Sequence, residues 1–222
     1  MVELKSVLIT GGTVRLGQAI AERLRAEGWR VITSSHRADA GADIVADLAE
    51  PMGAAKLYAA TLQMLGGMPP DALVNNAALF AGDDAAIAAV NLEAPKKLTM
   101  LMAGRESGIG AVVNLLDSNA LSHASHASHT SHASHSYCSS KRDLLAFTRS
   151  AAATFAATLR VNGVAPGPVM APTDVHEQAG EMLLDRRPTA DDVAAAVSYL
   201  LSAEATTGTV IPVDAGQNLL RA

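Results

Sequence analysis

The sequence predicts an α/β fold, a single-domain Rossmann-like doubly wound parallel sheet, on three observations. Short β-branched and leucine-rich runs alternate with helical stretches over 222 residues. The first run ends in Thr10-Gly11-Gly12 and meets Gly17 just where helical periodicity begins. A second strand-like run, residues 30–34, returns one helix later. Glycines in such a turn allow close backbone approach, and the helix N-terminus behind them offers N–H groups to a pyrophosphate. The alternative is a loop whose glycines serve packing alone.

Composition narrows the function classes. An apolar chain with 18% charged residues builds a folded core, and one domain spanning 1–222 accounts for the length. A formal net charge of −5 gives no general attraction to nucleic acid or to an anionic membrane. No apolar run reaches spanning length, and the opening MVELKSV leads into a strand rather than a signal peptide, so a cytoplasmic protein is expected. The lone Cys138 excludes an internal disulfide framework and a cysteine-rich metal site.

In order, residues 4–10 predict the first strand and 18–26 a helix stopped by Gly28. Residues 31–33 lead into Ser34, Ser35, His36 and Arg37, where a dinucleotide fold faces the adenosine ribose. An acid there would accept from both ribose hydroxyls of NAD. Hydroxyls, an imidazole and a guanidinium suit a 2′-phosphate instead, so NADPH/NADP is the expected cofactor, with Asp39 slightly beyond keeping NAD open. Residues 43–48 predict a third strand, at whose end Asp47 either accepts from the adenine amino group or closes a turn. A helix over 52–65 precedes a fourth strand, 72–74, running into Asn75-Asn76-Ala77. Those amides either hold a ligand-lining backbone or make an Asx-turn. A helix over 90–103 carries Asn91, whose amide must point outward or find a specific partner. The fifth strand, 111–116, ends in Asp117-Ser118. A helix from about 138 to 159, a sixth strand at 161–164, a helix at 191–201 capped by Thr189, and a last strand at 209–213 complete the alternation. Gly11, Asn75, Asp117 and Pro166 then share one sheet edge.

Tyr137 and Lys141 are four apart and occupy one helix face. A phenol titrates near 10, and a neighbouring ammonium is expected to lower that value toward useful proton transfer. Such a pair means little alone. It gains weight from the nucleotide loop ahead of it, from Asp117-Ser118 before it and from Asn91 further back.

Taken together, Thr10-Gly11 with Gly17, Asn75-Asn76-Ala77, Asn91, Tyr137 with Lys141, Asn162, and Pro166-Gly167 resemble the short-chain dehydrogenase/reductase family along almost the whole chain. The resemblance implies that Tyr137 is the general acid or base, that Lys141 holds the nicotinamide ribose, and that Asn91 keeps a proton-relay water. It also implies cofactor contacts from Gly11, Thr13, Arg15, Leu16, Gly17, His36, Arg37, Asp47, Asn76, Ala77, Lys141, Pro166, Gly167 and Val169. Within the family the sequence is similar to pteridine reductases and the dihydromonapterin or dihydrofolate reductases of the same fold. Arg15 before Gly17, the Ser35-His36-Arg37 loop, Phe80, and Asp117 at the family serine position carry that likeness. It implies a pterin substrate bound by Arg15, Phe80, Asp117, Tyr137 and Pro168. Phe80 is otherwise a core wall, and Ser118 is the alternative holder of the serine role.

Two stretches depart from the family. Residues 122–136 form five Ser-His-x triplets containing His123, His126, His129, His132 and His135, an insertion or replacement in the active-site wall. Imidazoles bind zinc, nickel or copper, yet regular triplets with no Asp, Glu or Cys do not arrange ligands around one point, so no metal site is assigned. Residues 169–187 replace a long substrate lid with a short flap. By resemblance, the helices from Val90 and Cys138 would pair in a homotetramer. The expected activity is NADPH-dependent reduction of a pterin or dihydropterin ring C=N bond. A general carbonyl reductase or alcohol dehydrogenase, and a nucleotide-binding protein with impaired catalysis, are the alternatives.

Overall fold

Strand β1 (Ser6–Thr10) is buried along its whole length, which requires a sheet covered on both faces. The computed structural model describes residues 4–106, 108–121, 135–169 and 181–220, with the backbone of 221. Its strands are β1, β2 (Arg30–Ser35), β3 (Ile44–Val45), β4 (Ala72–Asn75), β5 (Gly110–Leu115), β6 (Leu159–Pro166) and β7 (Val210–Val213). They form one parallel sheet in the order β3-β2-β1-β4-β5-β6-β7. The order reverses between β1 and β4, and a crevice at their carboxyl ends is where such sheets bind ligands.

Helices α1 (Arg15–Ala26) and α6 (Ala190–Ser202) cover one face, with Ile20, Leu24, Val193, Val197 and Leu200 packed on Val7, Ile9 and Val113. Helices α2 (Gly53–Met64), α4 (Ala94–Ala103) and α5 (His135–Thr154) cover the other, where Leu57, Leu98 and Met102 meet Leu8, Leu73 and Val112. Thr189 caps α6 through a reciprocal capping box with Asp192, as its position predicts. No described helix is long and apolar enough to cross a membrane.

Several elements differ from the sequence expectation, α1 among them, which starts at Arg15 rather than at residue 18. The third strand is only Ile44–Val45, because Asp43 spends its carboxylate on the N–H and hydroxyl of Thr33, and Asp47 turns the chain by accepting from Ala49 N–H. The helix expected from residue 90 begins earlier, as α3 (Asp84–Ala88), and passes through a π-helical turn (Ala89–Glu93) before α4. Pro95 explains the irregularity: it has no N–H to give to the Asn91 carbonyl four residues back, and the ladder accommodates an extra residue. Helix α5 starts three residues sooner than expected and stops at Thr154, where turn bonds from Thr158 and Leu159 to Phe155 end it. Leu159 instead opens β6, a fully buried strand residue.

Candidate active site

The carboxyl ends of β1 and β4 build a cradle from backbone. Gly11 sits at φ +62°, and a Cβ on Gly17 would lie 2.0 Å from the Gly11 carbonyl oxygen, so only glycine lets α1 approach the loop. Asn76 fixes this arrangement, its Nδ2 donating to the carbonyls of Thr10 and Gly11 at 3.0 Å each. The Thr10 hydroxyl accepts from the N–H groups of Asn76 and Ala77, also at 3.0 Å. Helix α1 has no side-chain N-cap and no acid in its first turn, so its N–H groups and dipole are left for an anion. Arg15 opens the helix at φ +52°, a strained conformation for a side-chain-bearing residue, and its side chain is exposed beside Thr13 and the half-buried Leu16. A dinucleotide pyrophosphate fits this donor set.

At the end of β2, His36 and Arg37 are exposed, and Arg37 donates to Asp39 from Nε at 3.0 Å and from Nη2 at 2.7 Å. Asp47 is exposed with one oxygen used by Ala49 N–H, so its Asx-turn is real. Beyond β6, Gly167 packs on Asp214, where a Cβ would come within 2.6 Å of the aspartate's own Cβ. Val169 N–H donates back to the Gly167 carbonyl at 2.8 Å, and Pro168 is half-buried beside them.

The candidate catalytic groups converge between β5 and α5. Tyr137 donates its phenolic O–H to Asp117 Oδ2 at 3.1 Å, which puts Asp117 rather than Ser118 at the hydroxyl. The Phe80 ring stands 4.8 Å from the Tyr137 ring, tilted by 52°, and is 49% exposed, so it is not a core wall. Lys141 is only 3% exposed; its Nζ donates to the Leu115 carbonyl at 2.8 Å and lies 5.7 Å from the Tyr137 ring centre. Burial lowers the Lys141 ammonium to about 8, with Asp117 opposing the shift. Asn91 Oδ1 accepts from Leu79 N–H at 2.8 Å, while its Nδ2 donates to the Leu79 carbonyl at 2.9 Å and the Ser140 hydroxyl at 3.2 Å. One amide therefore ties the segment carrying Phe80 to the helix carrying Tyr137 and Lys141.

The tyrosine titrates opposite to expectation. Burial, then the Asp117 charge and its hydrogen bond, push Tyr137 well above its ordinary value. An anionic neighbour penalises a second anion, and Lys141 spends a donor on a backbone carbonyl instead. The phenol is held protonated at neutral pH, fit to give a proton rather than take one. The same burial and Asp117 raise the Cys138 thiol, which keeps it out of thiolate chemistry.

Sequence reasoning missed a buried amide chain. Asn75 Nδ2 donates to Asn114 Oδ1 at 2.8 Å, Asn114 Nδ2 to Thr148 Oγ at 2.9 Å, and Thr148 to the Leu144 carbonyl at 2.7 Å. The signal was available, since Asn114 is a polar residue inside the apolar run of β5. Asn162 holds the β6–β7 edge instead of the crevice, donating to Thr206 and accepting from Thr209 N–H. Of the histidine triplets, residues 122–134 lie outside the described residues, whereas His135 and Ser136 form the first turn of α5. Of the flap, residues 169 and 181–187 are described, and there the Leu183 and Leu184 N–H groups donate to the Ala215 carbonyl.

Comparison with known proteins agrees with this geometry. Residues 14–218 match a family model described as enoyl-(acyl carrier protein) reductase. Pteridine reductase 1 of Leishmania tarentolae is 30% identical, the match covering 97% of this chain and 96% of that one. Glucose 1-dehydrogenase 2 of Bacillus subtilis is 27% identical, with 97% and 95% covered. The crystal structure of FolM alternative dihydrofolate reductase 1 from Brucella canis, complexed with NADP, superposes with a TM-score of 0.81 at 30% identity, covering 97% of this chain and 94% of that one. The chain belongs to the short-chain dehydrogenase/reductase family. It is an NADP(H)-dependent oxidoreductase, a class to which both the glycine cradle and the Tyr137–Lys141 pair fit.

Proposed function

We propose that the protein reduces a ring C=N bond of a pterin or dihydropterin at the expense of NADPH. The observation that carries this reading is the cluster of Asp117, Tyr137 and Phe80, a carboxylate and a phenol beside a half-exposed aromatic face. NADPH supplies the hydride when bound in the Gly11–Gly17 cradle. Phe80 gives a flat heterocycle a stacking surface. The Asp117 carboxylate accepts from ring N–H and amino groups, which a plain ketone does not offer. Tyr137 is protonated at neutral pH and holds the proton for the receiving nitrogen. Lys141 and Asn91 position that phenol. Thr13, Leu16, Ala77, Pro166, Gly167 and Val169 would line the cofactor, with His36 and Arg37 at the 2′-phosphate and Asp47 at the adenine. Arg15 and Pro168 would border both ligands.

The pteridine reductase and dihydrofolate reductase relatives support the substrate class. The glucose dehydrogenase relative supports a second reading, reduction of an ordinary carbonyl by the same Tyr137, Lys141 and Asn91. A cytoplasmic homotetramer, with the helices from Val90 and Cys138 pairing between subunits, accompanies the main reading by family resemblance. The test is calorimetric titration of a pterin onto the NADP-loaded protein. Phe80→Ala should weaken binding by about two- to twelvefold through lost stacking. Unchanged pterin affinity in that variant would remove the platform role.

A further inference from the structure

Arg37 and Asp39 form a two-point pair, Nε to Oδ1 at 3.0 Å and Nη2 to Oδ2 at 2.7 Å. Residues two apart seldom reach one another so squarely. Here the 3-10 turn Ala38–Ala40 folds Asp39 back, and Gly41 closes it at φ +66°. The carboxylate engages the Nε–Nη2 edge, one of the two guanidinium edges whose fork matches a phosphate. Both side chains are largely exposed, at 64% and 70%. The pair stands at the carboxyl end of β2, next to the cradle, where Gly12 N–H donates to the Ser34 carbonyl at 3.2 Å.

We propose that Asp39 is a built-in competitor for Arg37, setting how strongly the protein prefers NADPH over NADH. This rests on Arg37 holding the 2′-phosphate. To bind NADPH, Arg37 must leave the carboxylate, or one guanidinium must be shared by the phosphate and Asp39, two anions held close together. NADH, with a ribose hydroxyl in place of the phosphate, demands neither. Asp39 therefore weakens NADPH alone and narrows the selectivity that the surrounding Ser34, Ser35, His36 and Arg37 create. Its reach is modest, because exposed ion pairs are worth little and are screened by salt.

The experiment is fluorescence titration of NADPH and of NADH into the intact protein, at low and at physiological ionic strength. Wild type, Asp39→Asn, Arg37→Ala and the double variant are compared. Asp39→Asn should tighten NADPH by about two- to fivefold, more at low salt, with NADH unchanged within error. The gain should shrink once Arg37 is already alanine. If Arg37→Ala weakens NADPH while Asp39→Asn leaves it unchanged or weaker, the competition is refuted and the phosphate role stands. Equal tightening of both cofactors also refutes it, as a general charge effect. If Arg37→Ala affects NADPH no more than NADH, the phosphate role falls and the competition with it.

Discussion

Replacing Asp117 with asparagine keeps the shape of the side chain and removes the charge 3.1 Å from the Tyr137 hydroxyl. Two unit charges at that separation interact by about 5 kcal/mol at an effective dielectric near 20, an upper bound. Asp117 is partly exposed, so solvent screens much of this. Burial, the larger cause, remains in the variant, so the tyrosine pKa should fall but stay above its ordinary value. The sign is fixed: an anion beside the phenol penalises the phenolate, so losing the anion eases ionisation. Spectrophotometric titration of phenolate measures the effect. The chain has three tyrosines, Tyr58, Tyr137 and Tyr199, so subtracting the curve of Tyr137→Phe isolates the active-site ring. Burial also raises Tyr58, which makes the subtraction necessary. Asp117→Asn should lower the isolated transition and, with it, make oxidation of an alcohol easier at alkaline pH. An unmoved transition would refute the claim that Asp117 holds Tyr137 protonated.

Other perturbations have equally definite outcomes. Gly17→Ala places a methyl against the Gly11 carbonyl and Asn76 Nδ2, and should abolish detectable NADPH binding in a fluorescence titration; retained affinity would show that the cradle relaxes. Lys141 titrates at about 8 rather than 10.5, so the folded form sheds a proton that the unfolded chain keeps, and stability rises with pH through that window. Below it the buried charge costs about 3 kcal/mol. Lys141→Met should therefore abolish turnover yet stabilise the protein at neutral pH by about 1–3 kcal/mol in urea unfolding, after the Leu115 carbonyl loses its donor. A less stable variant would contradict the burial cost. Tyr137→Phe should lower turnover by about 10²–10⁴ with cofactor affinity nearly unchanged, except where solvent protonates a dihydropterin directly.

The parts of this molecule legible in the sequence are those written in local chemistry. Gly11 and Gly17 announce a backbone approach that no other residue allows. Thr189 announces a helix start, and the β-branched runs announce buried parallel strands. The parts that were not legible depend on contacts across the sheet. Nothing near Asp47 in sequence reveals that Asp43 is spent on Thr33, so the third strand read too long. The π-turn needed Pro95 and Asn91 to be read together, four residues apart. The tyrosine pKa was misjudged because the spacing to Lys141 is visible, whereas the burial of both groups and the direction of the Asp117 carboxylate are tertiary facts. Arg37 and Asp39 were both visible, but their pairing depends on the turn between them.

The central claim is that this reductase is shaped for a pterin, and parallel NADPH-consumption assays test it most directly. A dihydropterin, dihydrofolate and a plain ketone are offered to the wild type, Asp117→Ala and Phe80→Ala. The account predicts turnover of the pterin substrates that both substitutions impair far more than they impair any turnover of ketone. Turnover of the ketone alone, with kinetics that Phe80→Ala leaves intact, would contradict the claim and make the protein a general carbonyl reductase.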